Sequence, residues 1–133
     1  MDTNSEMHTH PNFYAMLTAA CQKNGKGTVI FNDKEKISYS SLKREVETVA
    51  AYLQHQGVQY GDRVALVVSN SPEFIAAYLA ITSIGAVAVP LNVFLKSEEF
   101  SYILNDCGAR FMFASAPLAK ELKNIKAKTK VNK

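Results

Sequence analysis

Three short apolar runs, separated by helix-length segments, constrain this chain more than any other feature. Val64-Ala65-Leu66-Val67-Val68, Ala86-Val87-Ala88-Val89-Pro90 and Arg110-Phe111-Met112-Phe113-Ala114 lack the alternation of a strand with one wet face. Each reads as a strand covered on both faces. Strands joined through helices need crossover connections, and crossovers place neighbouring strands in parallel. The chain is therefore predicted to be α/β, with helices on the faces of a parallel sheet. In open sheets of this kind ligands sit beyond the carboxyl ends of the strands, here near residues 69–71, 91–95 and 115–117.

Local signals fill in the rest. Phe13, Leu17, Ala20 and Cys21 recur at the spacing of one helix face after Pro11, and Asn24-Gly25 ends that helix. Thr28-Val29-Ile30-Phe31 and Lys36-Ile37-Ser38-Tyr39 flank Asn32-Asp33-Lys34-Glu35 and read as a β-hairpin. Ser38 is placed to cap a helix from Tyr39 whose stripe is Leu42, Val46, Val49, Ala50 and Leu53, stopped at Gly57-Val58. Asn70-Ser71-Pro72-Glu73 combines a capping side chain, a first-turn proline and an acid at the positive end of a helix dipole. Ser97-Glu98-Glu99 starts a further helix carrying Phe100, Ile103 and Leu104, ended by Asp106-Cys107-Gly108. The expected fold is a partial Rossmann-like parallel sheet with helical crossovers, plus an N-terminal helix and a β-hairpin.

Charge and cysteine usage exclude several function classes. The 15 Lys and Arg against 12 Asp and Glu leave a net charge of only +3. The excess lies at the C-terminus, in Lys120, Lys123, Lys126, Lys128, Lys130 and Lys133, with Glu121 the one acid among them. Without that run the chain is slightly acidic, so it is not a nucleic-acid binder. Residues 118–133 are expected to be a Lys-rich, frayed and solvated tail, and residues 1–10, with His8 and His10 in an H-x-H, a flexible leader. His55 reads as a dipole partner at a helix C-terminus. Cys21 and Cys107 are far apart in sequence, without zinc-ligand spacing, and read as two reduced thiols in a cytoplasmic setting.

Residues 74–95 carry no charge over a length that could span a bilayer, but Gly85 and Pro90 divide them into a helix and a strand. No membrane span is expected, with peripheral contact left open. The six glycines, at 25, 27, 57, 61, 85 and 108, compose neither G-x-G-x-x-G nor a P-loop. No residue pattern nominates a catalytic group or a metal site.

The ordered succession Ile37-Ser38-Tyr39-Ser40-Ser41-Leu42, Gly57-Val58-Gln59-Tyr60-Gly61-Asp62-Arg63-Val64-Ala65, Asn70-Ser71-Pro72-Glu73-Phe74 and Gly85-Ala86-Val87-Ala88-Val89-Pro90-Leu91-Asn92 resembles the N-terminal region of the acyl-CoA synthetases, AMP-forming members of the adenylate-forming enzyme superfamily. Peptide-synthetase adenylation domains are similar here, but carry an Arg-Ser pair and Pro-Leu-Asp where this chain has Asn70-Ser71-Pro72 and Pro90-Leu91-Asn92. The resemblance implies a parent reaction in two steps. A carboxylate, which the resemblance suggests is a fatty acid, attacks ATP to give an acyl-adenylate and pyrophosphate, and the CoA thiol then displaces AMP.

The same resemblance implies ATP, Mg and CoA for the parent, but none for this chain alone. The family's Ser/Thr/Gly-rich loop ending in Pro-Lys-Gly and its catalytic lysine lie beyond Lys133, so no catalytic residue carries over. The loop after Pro90-Leu91-Asn92 is the one segment that the resemblance links to ligand. In some CoA ligases it supplies a basic side chain to the CoA nucleotide; the matching position here is Phe94, with Lys96 the nearest cation, so the resemblance implies a CoA loop at Asn92, Phe94 and Lys96. Residues 11–117 are then an incomplete N-terminal subdomain of a synthetase, inactive alone and prone to self-association through uncovered apolar surface. The alternative is a free-standing α/β interaction or regulatory module on the same fold.

Overall fold

A computed structural model describes residues 12–133 of the chain. The expected leader, its two histidines and Pro11 lie outside the described residues. Helix α1 (Phe13–Asn24) is capped by Asn12, whose side-chain oxygen accepts the Ala15 N–H at 2.8 Å. Strands β1 (Thr28–Phe31) and β2 (Lys36–Ser38) pair antiparallel. Their turn is closed by Asn32, whose side chain accepts the N–H groups of Lys34 and Glu35, each at 2.9 Å.

Helix α2 (Tyr39–His55) begins where the Ser38 hydroxyl accepts the Ser41 N–H at 3.1 Å. Strand β3 (Arg63–Val67), helix α3 (Pro72–Ser83), strand β4 (Val87–Pro90), helix α4 (Ser97–Cys107) and strand β5 (Phe111–Ala114) follow. Ser71 caps α3 by accepting the Phe74 N–H at 3.2 Å. A 3-10 turn (Ala116–Lys120) and helix α5 (Leu122–Lys128) complete the chain.

The three-stranded sheet has the order β4-β3-β5, and both pairings are parallel. Successive side chains of β3 face opposite layers, as the pleat requires. Val64 joins Leu17 of α1, Leu42, Val46 and Leu53 of α2, and Ala76, Ala80 and Ile81 of α3 in one apolar cluster. Ala65 and Val67 join Phe100 and Leu104 of α4 in a second cluster on the other face. The fold is therefore three-layered, with the sheet between two helical layers. His55 does lie in the last turn of α2.

Among the described residues only β3 is buried along nearly its whole length, because it alone has a strand on each side. Val87 of β4 is 47% exposed, so the reading of all three runs as fully covered holds for the centre strand and not for the edges. The outer position of β4 also explains Pro90. The N–H groups of Val87 and Leu91 reach the carbonyls of Asp62 and Leu66 at 2.8 and 3.0 Å, so the alternate positions face outward. A proline there forfeits no ladder bond.

The C-terminal segment departs from expectation. Residues 116–133 do not fray but fold back onto the second cluster, burying Leu118, Ile125 and Val131. The Asn132 N–H donates to the Arg110 carbonyl at 3.0 Å, and the Asn105 side-chain amide to the Lys128 carbonyl at 2.9 Å. The lysines of this segment remain exposed. Their charge describes the outer face of an amphipathic segment whose apolar positions dock. The stretch 74–95 is divided as expected between α3 and β4, and among the described residues no helix is long and apolar enough to cross a membrane.

Candidate functional site

The carboxyl ends of the three strands open onto the segments 68–71, 91–96 and 115–118, where the topology predicts ligand. Two features occupy this end of the sheet. The first is an open groove of about 720 Å³ between the β1–β2 turn and the start of α3, lined by Asn32, Asp33, Lys34, Glu35, Ser71 and Glu73 among others. Three carboxylates against one ammonium give it a negative lining. Such a lining repels a triphosphate, whose charge must be met by convergent donors. Two amides at the start of α3 are already engaged, Phe74 N–H by Ser71 Oγ and Ile75 N–H by the Ser71 carbonyl at 3.3 Å. The groove does not fit ATP.

The second feature is the loop 91–96 between β4 and α4. Leu91, Val93 and Leu95 pack against the second apolar cluster, which turns the alternate residues Asn92, Phe94 and Lys96 outward. The nominated trio is thus brought to one side of a loop by a period-two pattern. Asn92 shapes the turn, since its side-chain oxygen accepts the Phe94 N–H at 2.9 Å and its carbonyl accepts the Leu95 N–H at 3.2 Å. Phe94 is 89% exposed. The Glu99 carboxylate accepts the Lys96 N–H at 2.7 Å, which fixes the entry to α4. The Lys96 side chain is exposed, so an anion reaching this loop meets a cation beside an open aromatic ring.

Elsewhere one cluster of titratable groups joins α1 to α2. The Tyr14 hydroxyl donates to Glu47 Oε1 at 2.6 Å, and Lys43 pairs with the same oxygen. These hydrogen bonds, from Lys43 first and then Tyr14, hold the Glu47 carboxyl below the usual range, and the bond to Glu47 raises Lys43. Cys21 and Cys107 are free and partly buried. Among the described residues no group of three His, Cys, Asp or Glu could hold a metal ion. Nothing in the sequence reading marked Leu118, Ile125 and Val131 as anchors beneath the carboxyl edge. The signal was the i, i+4, i+7 spacing of Leu118, Leu122 and Ile125, obscured by the lysines around it.

A family model described as AMP-binding enzyme matches residues 7–133. The chain belongs to the AMP-binding enzyme family. Among curated relatives, the crotonobetaine/carnitine–CoA ligase of Salmonella typhi is 36% identical over 105 residues, covering 74% of this chain and 20% of that protein. The enzyme of the same name from Proteus mirabilis is 35% identical over 102 residues, covering 77% and 19%. Of solved structures, an anthranilate CoA ligase in complex with anthranoyl-AMP superimposes with a TM-score of 0.85 at 25% identity, over 92% of this chain and 24% of that one. A fatty acyl CoA synthetase of Mycobacterium tuberculosis superimposes with a TM-score of 0.85 at 29% identity, over 91% and 25%. The chain thus spans about a fifth of the length of the curated relatives it matches. The resemblance to acyl-CoA synthetases and the α/β architecture are both borne out.

Proposed function

We propose that this chain is the N-terminal part of an ATP-dependent acyl-CoA synthetase that converts a carboxylic acid, through its acyl-adenylate, to a CoA thioester. The observation that carries this is the 36% identity over 105 residues to a CoA ligase, alongside the AMP-binding family match over residues 7–133. A fatty acid is the substrate class to test first, in line with the likeness to a fatty acyl CoA synthetase. The relatives also include ligases named for carnitine and anthranilate, so the test panel needs charged and aromatic acids beside it.

In this reading the chain's own contribution is scaffold and one ligand loop. Asn92 shapes the loop, and Phe94 and Lys96 stand where an incoming CoA nucleotide finds an aromatic face and an ammonium. ATP and Mg bind on parts of the synthetase outside these residues, and the 133 residues alone neither adenylate an acid nor hold ATP tightly. A negative groove and an absence of Gly-rich turns support that. The protein works in the cytoplasm, with at most peripheral membrane contact, and its uncovered apolar residues favour self-association when the chain stands alone. The direct test is to read the coding frame past Lys133. Continuation into a Ser/Thr/Gly-rich loop ending in Pro-Lys-Gly supports the synthetase, and a stop with no such loop in any frame favours a free-standing module.

A further inference from the structure

The segment after β5 carries the densest charge in the chain. Lys120, Lys123, Lys126, Lys128, Lys130 and Lys133 are all exposed, and Glu121 is the one acid among them. Because Leu118, Ile125 and Val131 are buried in the second cluster, these ammoniums do not hang from a loose end. They are displayed on the outer face of a docked segment. Among the described residues Lys120, Lys123, Lys128 and Lys130 have no ion-pair partner. Lys126 and Lys133 donate to the carbonyls of Asn132 at 3.3 Å and Gln56 at 2.7 Å, contacts that leave their charge uncompensated. The exposed acids of the neighbouring α4, Glu98, Glu99 and Asp106, are fewer than these lysines.

The rest of the chain carries a slight excess of acid, so the positive field belongs to this face. Two features fit it to a bilayer rather than to nucleic acid. Its cations are ammoniums on flexible stems, which follow a laterally mobile array of headgroups but offer no planar fork to a fixed phosphate. Arg110, which adjoins the segment through the Asn132 N–H, has its guanidinium turned to Asp62 at 3.4 Å. Tyr102 of α4 is 74% exposed and stands three residues before Asn105, whose side-chain amide reaches the Lys128 carbonyl. An amphipathic ring at the margin of a lysine face is suited to the headgroup level of a membrane.

We propose that the lysine face of residues 120–133 is a docking surface for an anionic lipid bilayer. Docking through the α4 and α5 layer turns the negatively lined groove at the start of α3 away from the headgroups, since α3 packs on the opposite face of the sheet. The contact is electrostatic and reversible, each ammonium near an anionic leaflet favouring the bound state about fivefold. The surface is complete within the 133 residues. The inference is therefore independent of the enzymatic reading and of which acid is activated.

Flotation of the 133-residue chain with phosphatidylcholine vesicles, without and with about one-third phosphatidylglycerol, tests this, because aggregates sink and are not scored. At about 50 mM salt the anionic vesicles should carry about tenfold more protein than the neutral ones or better, and about 500 mM salt should abolish the difference. Lys120→Gln, Lys123→Gln and Lys126→Gln together should lower binding by about tenfold or more. Lys26→Gln, Lys34→Gln and Lys36→Gln together remove the same charge from the layer of the first cluster, and should lower it by less than about threefold. Urea midpoints check that both triple variants are folded, and the lipid and salt comparisons on the unaltered chain decide without them. Equal losses in the two triple variants would overturn the proposal, since net charge alone would then act. So would equal binding to neutral and anionic vesicles, the mark of uncovered apolar surface. Transfer of the protein from vesicles to single-stranded DNA at equal phosphate concentration would overturn it in favour of a nucleic-acid surface.

Discussion

The ring of Tyr60 lies over the bare Cα of Gly85: a Cβ built there would meet Tyr60 Cδ2 at 2.3 Å. The same turn is closed by the Gly61 N–H donating to the Gly85 carbonyl at 2.9 Å, and Gly85 has φ +77°. This contact ties the turn that enters β3 to the turn that leaves α3, so the start of the centre strand and the start of its neighbour share one junction. Gly85→Ala should destabilise the fold by about 1–3 kcal/mol through the left-handed backbone and the displaced ring. Gly57→Ala, where φ is +93° and nothing lies within 4 Å of the new Cβ, reports the backbone cost alone, about 1 kcal/mol. Urea denaturation of both, with Tyr60→Ala combined with Gly85→Ala, separates the terms. Strict additivity of the last two would contradict the contact.

The docked C-terminal segment makes a second prediction. Ile125 is fully buried in the second cluster, so Ile125→Ala should cost about 2–4 kcal/mol. Lys123→Ala, on the exposed side, should stay within about 0.5 kcal/mol. Equal, small effects would restore the frayed tail.

These two regions show what could be read from residues alone. The cap at Ser38 and a capped helix start within residues 70–73 were legible because a polar side chain near an orphan amide is a local event, and the runs at 64–68, 86–90 and 110–114 were legible because parallel strands leave a local compositional mark. Burial of the edges was not, since the exposure of Val87 depends on whether another strand lies beside it. The segment 118–133 misled because lysine density speaks for one face of a helix only, while Leu118 and Ile125 decide the other. In the candidate site, the resemblance named Asn92, Phe94 and Lys96. Their shared outward side depends on Leu91, Val93 and Leu95 finding a core, which only the assembled helices supply.

The Tyr14, Glu47 and Lys43 contacts, which tie α1 to α2, should respond to pH. Glu47 is lowered from 4.5, so the stability it contributes is present above that value and lost as pH falls through its folded pKa. Lys43 is raised from 10.5, so its share is full below that value and lost as pH rises through its folded pKa. The denaturation midpoint of Glu47→Gln should sit slightly below wild type at pH 7 and converge with it below the folded Glu47 pKa. A gap unchanged across the acid range would argue against the contact.

Lys96 carries the ligand-loop claim. In a synthetase containing this chain, Lys96→Ala should raise the KM for CoA about three- to tenfold, the scale of one exposed charge pair of about 1 kcal/mol. Acid-dependent ATP–pyrophosphate exchange should be unchanged, because the CoA phosphates take no part in the first step. Unaltered CoA dependence would return Lys96 to the solvated surface.

ATP–pyrophosphate exchange across a panel of fatty, aromatic and quaternary-ammonium acids tests the central claim most directly. It is to be measured on the 133 residues alone and on the full length that their reading frame encodes. The account predicts acid-dependent exchange by the long form and none above background by the 133 residues. Exchange by the short chain that survives further purification, or a long form inert toward every acid in the panel, would contradict it.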